Sequence, residues 1–210
     1  MIGPIRQGAR RGLCALLVCA GLSGCAVLFE DKTPQATDAD MAALSFVSTD
    51  PPSLTLVTSI SNRDNSGAHS ALIINGPERV VFNPAGSWRH PLAPEQGDFH
   101  RNFSPAMEKW FFDYHARSTY RIRAQTVEVP MAVAAQALEA ARNSGSVPPA
   151  QCTRAITEIL DDLPGFEGFG VTWWPLRASA RFADLPGVTT VLYTDDSPDD
   201  WSDLDLEFND

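Results

Sequence analysis

Cys152 stands near the start of a segment whose apolar residues, Ala155, Ile156, Ile159, Leu160 and Leu163, recur at helical spacing after Pro148-Pro149. A thiol in the first turn of a helix faces unpaired backbone N–H groups and the positive end of the macrodipole, and both favour the thiolate. The same N–H groups can stabilise an oxyanion on a carbonyl attacked by the sulfur. Cys152 also falls on the apolar stripe, so core filling is the competing reading of the local pattern. A thiol nucleophile needs a base that later protonates the leaving group, and histidine does this best near neutral pH. Of His69, His90, His100 and His115, only His69 opens a strand-like segment, in phase with Ala71 and Ile73 and behind a glycine-containing loop. The others lie in an irregular stretch and read as solvated or locally bonded. For His69 the competing reading is a strand-end side chain bonded to backbone.

The segment Gly67-Ala68-His69-Ser70-Ala71-Leu72-Ile73-Ile74, the following Val80-Val81-Phe82-Asn83-Pro84-Ala85-Gly86-Ser87-Trp88 and the distant Gln151-Cys152-Thr153 resemble the circularly permuted NlpC-type papain-like enzymes. In that superfamily, which includes bacterial amidases and the lecithin retinol acyltransferases, the histidine strand precedes the cysteine helix. The resemblance implies an α+β, permuted papain-like fold over residues 54–193, with an antiparallel sheet packed on a cysteine-bearing helix. It also implies Cys152 as nucleophile, His69 as base and acid, and a polar residue on the next strand to orient the imidazole. Asn83 matches that third place, as in a Cys-His-Asn arrangement. Hairpin parity decides whether it faces His69: a three- or five-residue loop puts Asn83 on the His69 face, whereas two or four residues put Phe82 there. The alternative for Asn83 is a cap on the turn before Pro84.

The elements that must position these residues follow from pattern. Residues 54–60 alternate as a strand, 61–67 form a turn, and 68–74 with 79–83 make a hairpin across Asn-Gly-Pro-Glu. Residues 84–117 are irregular and rich in Trp, Phe and His, with one helical stretch at 105–115; the aromatic run Trp110-Phe111-Phe112 and the tryptophans read as core or cleft wall. Residues 118–129 return to a strand. Pro130 opens an alanine-rich helix with the stripe Met131, Ala134, Leu138 and Ala141, stopping at Gly145, and the Cys152 helix ends at Pro164-Gly165. Residues 166–185 read as loop and 188–193 as a last strand. Residues 25–53 read as a tether, with a short strand at 44–47 conceivable. Residues 194–210 carry eight acids and no base and read as a disordered tail, so truncation after Thr194 is expected to leave the melting temperature almost unchanged.

The 210 residues hold 16 Lys+Arg against 26 Asp+Glu, a net charge of −10 that argues against nucleic acid as a partner. No His/Cys/Asp pair shows zinc-ligand spacing, and no cofactor is expected. Residues 1–24 carry Arg6, Arg10 and Arg11, no acid, and an apolar run at 13–22 too short to span a bilayer, which is the pattern of a signal peptide. Leu22-Ser23-Gly24-Cys25 resembles the lipobox of bacterial lipoproteins, which implies acylation of Cys25, anchoring of the chain to the membrane by acyl chains, and a periplasmic location. The absence of Asp after Cys25 favours outer-membrane sorting, by the same resemblance. Cys14 and Cys19 then leave with the signal, and Cys152 is the one thiol remaining, without a disulfide partner. The expected protein is a lipid-anchored cysteine hydrolase of an amide, with peptidoglycan peptide as first substrate, or of a lipid or protein ester. The alternative is a non-catalytic envelope lipoprotein that keeps the fold as a binding scaffold, and the acidic tail can dock a protein partner in either case. Cys25→Ser is expected to leave the protein uncleaved or soluble while the parent partitions with membranes; equal partitioning in a fractionation would show that another segment holds it there.

Overall fold

A computed structural model describes residues 34–201. The expected signal peptide, the lipidation at Cys25 and residues 202–210 of the acidic tail lie outside the described residues. Seven strands, β1 (Ser53–Ser61), β2 (Gly67–Asn75), β3 (Arg79–Phe82), β4 (Glu95–Gln96), β5 (Phe99–His100), β6 (Tyr120–Glu128) and β7 (Thr189–Tyr193), form one antiparallel sheet in the order β4-β5-β3-β2-β1-β6-β7. Among the described residues five helices accompany them: α1 (Asp38–Ala43), α2 (Pro105–His115), α3 (Met131–Asn143), α4 (Cys152–Asp161) and α5 (Pro175–Ala183). The chain is therefore α+β, and none of the described helices is long and apolar enough to cross a membrane.

Both faces of the central strands are buried, which explains their nearly unbroken apolar sequence. Leu54, Leu56, Leu72, Ile74, Val80 and Phe82 face one core with Ala137, Leu138 and Ala141 of α3, Ile156 and Leu160 of α4 and Ala178 and Phe182 of α5. Val57, Ala71, Ile73, Val81, Ile122 and Ala124 face the other, with Phe111 and Phe112 of α2, Trp88 and Phe103. Trp88 meets the edges of Phe103 and Phe111 at ring separations of 6.1 and 5.2 Å, so the irregular aromatic stretch supplies a real core layer. On the opposite face, Ser179 Oγ donates to Gln125 Oε1 (2.6 Å) while Gln125 Nε2 donates to the Ser179 carbonyl (3.0 Å), so the two polar groups buried where α5 meets β6 satisfy each other.

Several elements depart from the sequence pattern. Residues 166–185 contain α5, whose start is set by Pro175 at its first turn and whose buried face is Ala178, Ser179 and Phe182; the small Ala178 and the polar Ser179 in that stripe hide its period. Met131, placed on the buried stripe of α3, is exposed, and Val133 and Ala137 are buried in addition to Ala134, Leu138 and Ala141. Residues 44–47 form no strand. The tether, by contrast, is docked over its described part: Thr37 and Asp40 close a capping box on α1, Met41 is buried, Ala36 N–H donates to the Glu95 carbonyl (2.8 Å) and Arg79 N–H to that of Phe46 (2.7 Å).

The first part of the acidic tail is docked as well. Ser118 N–H donates to the Ser197 carbonyl (3.0 Å), the Asp199 carboxylate accepts from Thr119 N–H and the Thr119 and Ser118 hydroxyls, and Trp201 Nε1–H donates to the Tyr114 carbonyl (3.0 Å). Composition missed this because the ordering cost is met by bonds to the α2–β6 connection rather than by an apolar core. Each exposed bond contributes about 0.5–1.5 kcal/mol and the ordering entropy offsets much of the sum. Truncation after Thr194 is therefore expected to cost about 1 kcal/mol and lower the melting temperature by roughly 2–4 °C in a calorimetric scan, and an unchanged value would restore the composition-based expectation.

Candidate functional site

The β2–β3 connection decides which side chain stands beside His69. Asn75 pairs with Arg79 and Leu72 with Phe82, so the loop has three residues, Gly76, Pro77 and Glu78, and its parity carries Asn83 to the His69 face. Glu78 in that loop is clamped by Arg101 (2.7 Å) and Arg142 (2.8 Å), which hold the hairpin tip against β5 and α3. At the other end of β2 the register with β1 shifts: Ser59 pairs with His69 and Ile60 with Gly67, leaving Ala68 as an unpaired bulge next to His69. Gly67 lies under the start of α5, where a Cβ would come within 2.8 Å of the Pro175 Cβ, so only glycine lets the strand enter here.

His69 Nε2 and Asn83 Oδ1 are 2.7 Å apart. A carboxamide oxygen accepts only, so Nε2 carries a proton and the other ring nitrogen is left for the thiol. Asn83 is fully buried and its Nδ2 has no partner among the described residues. An unpaired buried donor costs about 1–3 kcal/mol, a cost that mere capping of the turn does not explain. The turn after Asn83 is shaped around this carboxamide. Gly86 N–H donates to the Asn83 carbonyl (3.0 Å), and a Cβ on Gly86 would overlap the Asn83 side chain.

Cys152 is the first residue of α4 and is 8% exposed. Gln151 ahead of it makes no side-chain cap, so the first N–H groups of the helix are not taken up by a capping side chain. The thiol meets the Thr153 hydroxyl at 3.8 Å, Thr153 in turn meets Ser70 Oγ at 3.0 Å, and the His69 imidazole and the Ser70 backbone favour the ionised form of the thiol. Burial opposes ionisation of the thiol, but these hydrogen bonds and the charge of His69 outweigh it and bring the thiol down to about 7. For His69 burial disfavours the charged form, and the hydrogen bond and charge of Cys152, with smaller help from Asn83 and Asp98, outweigh it and raise the imidazole above its ordinary value. The pair can thus hold a thiolate and an imidazolium.

Asp98 was not legible in the sequence beyond a Gly-Asp turn dipeptide. It is buried, with φ +62, and its carbonyl accepts from Asn83 N–H (2.9 Å). Its Oδ2 accepts from Ala85 N–H (2.9 Å) and from Val147 N–H (2.8 Å) in the segment that leads into α4. One side chain therefore ties the turn that holds Asn83 to the approach of Cys152 and adds negative charge near His69.

The remaining histidines separate. His115, read from sequence as solvated or locally bonded, does bond locally, its Nδ1 donating to the Phe111 carbonyl (2.7 Å), but its ring stacks parallel to His69 at 5.9 Å. Burial, then the charge of His69, push it down to about 3, so it stays neutral beside the imidazolium. His100 is fully buried beside Glu95 and is pushed down to about 3 by burial and then by Arg89. His90 Nδ1 accepts from Leu92 N–H (3.1 Å), and burial lowers it. Trp173 and Trp174, expected in core or cleft wall, are exposed, with Arg154 lying over the Trp173 ring at 5.7 Å. Among the described residues no group of three or more His, Cys, Asp or Glu is placed to hold a metal ion.

Seven-stranded antiparallel α+β architecture with a Cys-His-Asn cluster at the start of a helix is the class of protein that fold and site define. No protein-family model matches this sequence, and it matches neither a curated protein nor a solved structure. Gly86→Ala tests the geometry directly. It is expected to displace the Asn83 carboxamide and raise the apparent pKa of Cys152 alkylation, as Asn83→Ala does, and an unchanged profile in both would remove Asn83 from the site.

Proposed function

We propose that this protein is a cysteine hydrolase of the permuted papain-like type. The single observation that carries the reading is the His69 ring, bonded at 2.7 Å to Asn83 Oδ1 and held above its ordinary value by the Cys152 thiol, which His69 in turn holds below its own. The residues come from β2, from the turn immediately after β3, which ends at Phe82 rather than at Asn83, and from α4, a convergence that core packing does not require. Among the sequence expectations, the order histidine strand, orienting strand, cysteine helix supports the papain-like fold as the finer description of the α+β sheet.

In the reaction, the Cys152 thiolate attacks the carbonyl carbon of an amide or ester, and its electron pair forms the C–S bond while the C=O π pair moves to oxygen. The N–H groups at the start of α4 stabilise that oxyanion. Imidazolium His69 gives its proton to the leaving nitrogen or oxygen as the bond to carbon breaks, which leaves a thioester on Cys152. Neutral His69 then takes a proton from water, whose oxygen attacks the thioester carbon; the C–S bond breaks with its electron pair returning to sulfur, the carboxylic acid leaves, and the Cys152 thiolate is restored beside imidazolium His69. Asn83 holds Nε2 so that the proton in flight resides on the other nitrogen. Asp98 fixes the two segments against each other.

The lipobox-like Leu22-Ser23-Gly24-Cys25 supports a lipid-anchored enzyme of the bacterial envelope, facing the periplasm. In that setting peptidoglycan peptide is the first substrate, with a lipid or protein acyl group second. Incubation with 4-nitrophenyl acetate is expected to place an acetyl group on Cys152, visible by mass spectrometry, with turnover lost in Cys152→Ser and reduced roughly 10²–10⁴-fold in His69→Ala. The rate should rise as Cys152 ionises around pH 7 and fall at higher pH as His69 loses its proton. Acetylation elsewhere, or turnover indifferent to Cys152, would overturn the assignment.

A further inference from the structure

A cavity of about 390 Å³ opens beside the pair, and its walls include His69 but not Cys152. That asymmetry has a chemical meaning. The acyl group of a substrate bonds to sulfur, whereas the leaving group receives its proton from His69, so a space that borders the imidazole without reaching the sulfur is where the body of a leaving group extends. The wall of this space includes the aromatic rings of Tyr114, Tyr120 and Trp201, and the C-terminal segment supplies Asp199 and Trp201 to it. Trp201 stacks on Tyr114 with ring centroids 5.1 Å apart and planes 13° from parallel, Trp201 Nε1–H donates to the Tyr114 carbonyl, and Tyr114 Oη meets Ser87 Oγ at 3.0 Å. Asp199 pins the segment through Thr119, and Thr119, Asp199 and Trp201 all line the cavity.

The cavity also holds an acceptor. His115 lines it, and because the His115 Nδ1 proton goes to the Phe111 carbonyl, Nε2 keeps its lone pair; it has no hydrogen-bond partner among the described residues. The ring is fixed between His69 (5.9 Å, planes 3° apart) and Phe111 (4.3 Å). A flat apolar wall next to a fixed acceptor fits one class of molecule: a ring-bearing alcohol or amine that stacks on the wall and gives an N–H or O–H to His115. The volume is at the small end of ordinary ligand sites and admits a single ring with short substituents.

Resting on the hydrolase reading, we propose that residues 197–201 and His115 form the leaving-group subsite, that Trp201 and His115 determine specificity there, and that the ligand is a ring-bearing alcohol or amine. The C-terminal segment is thus part of the binding site. Trp201 lines the cavity and makes its recorded contacts with Tyr114 rather than with Cys152 or His69, which makes it the residue to change.

Two measurements on the full chain test this. The first compares kcat/KM for 4-nitrophenyl acetate and S-methyl thioacetate, which share an acyl group, and for 4-nitrophenyl acetate and butyrate, which share a leaving group. Trp201→Ala is expected to lower the first ratio by roughly five- to tenfold, the size of one lost aromatic contact, and to shift the second by less than about twofold; a general structural defect moves both. The second, independent of turnover, is calorimetric binding of 4-nitrophenol to Cys152→Ala at pH 6, where the phenol is largely protonated. Binding is expected, and about tenfold weaker when Trp201→Ala or His115→Phe is added. Absence of 4-nitrophenol binding, or equal binding in all three proteins, overturns the subsite. Cys152-dependent hydrolysis with an unmoved leaving-group ratio overturns it while the hydrolase stands. Binding that follows Trp201 and His115 without any Cys152-dependent hydrolysis upholds the pocket and overturns the hydrolase.

Discussion

A thiol and an imidazole set against each other in partly buried surroundings can both be charged only together, because each ion alone would bear its desolvation without compensation. That mutual dependence is the constraint around which the rest of this structure is arranged. Burial works against the charge on Cys152 and against the charge on His69, and in both cases the partner outweighs it. The consequence is a demand for position: the attraction falls with distance, and the hydrogen bond between the two tolerates little misalignment.

The demand is met by elements far apart in sequence. β2 brings His69 out of a sheet whose two faces are both buried, so it cannot rotate, and the Ala68 bulge re-aims it at the strand's end. α4 presents Cys152 at its first residue, and its Ile156 and Leu160 are sunk in the core below. Asp98 bridges the turn after β3 and the segment before α4 with a single carboxylate oxygen. The neutral His115 stacked on His69 adds a polarisable ring without adding a competing positive charge. Burial keeps His115 uncharged, and the adjacent imidazolium reinforces this.

Much of this was legible in the residues. The alternation of residues 54–60 and 68–74, the Asn-Gly-Pro-Glu turn and the stripe after Pro148-Pro149 are strong local patterns, and they placed His69 on a strand and Cys152 at a helix start, with Asn83 one parity question away. The structure answered that question with a three-residue loop. What was not legible depended on distant partners. Asp98 is one acid among twenty-six, and nothing local shows that two N–H groups 13 and 49 residues away converge on it. Helix α5 was hidden because its buried face mixes Ala178 and Ser179 with Phe182, and Ser179 is inside only because Gln125 waits for it. The docked part of the acidic segment escaped composition because its bonds go to backbone and hydroxyls of residues 114–119 rather than to an apolar core. Long-range polar satisfaction is the common element in these misses, whereas the periodic apolar patterns hold except at the start of α3, where Met131 is exposed, and at residues 44–47, which form no strand.

The central claim is that Cys152 and His69 form one titrating pair, and absorbance at 240 nm reports the thiolate directly. With Cys14, Cys19 and Cys25 replaced by Ser so that Cys152 is the one thiol in the chain, thiolate absorbance should appear with a midpoint around pH 7, and His69→Gln should move the midpoint above the roughly 8.5 of a free thiol, since burial is then opposed only by the Ser70 backbone and the Thr153 hydroxyl. A midpoint at or above 8.5 in the parent, unmoved by His69→Gln, would contradict the account.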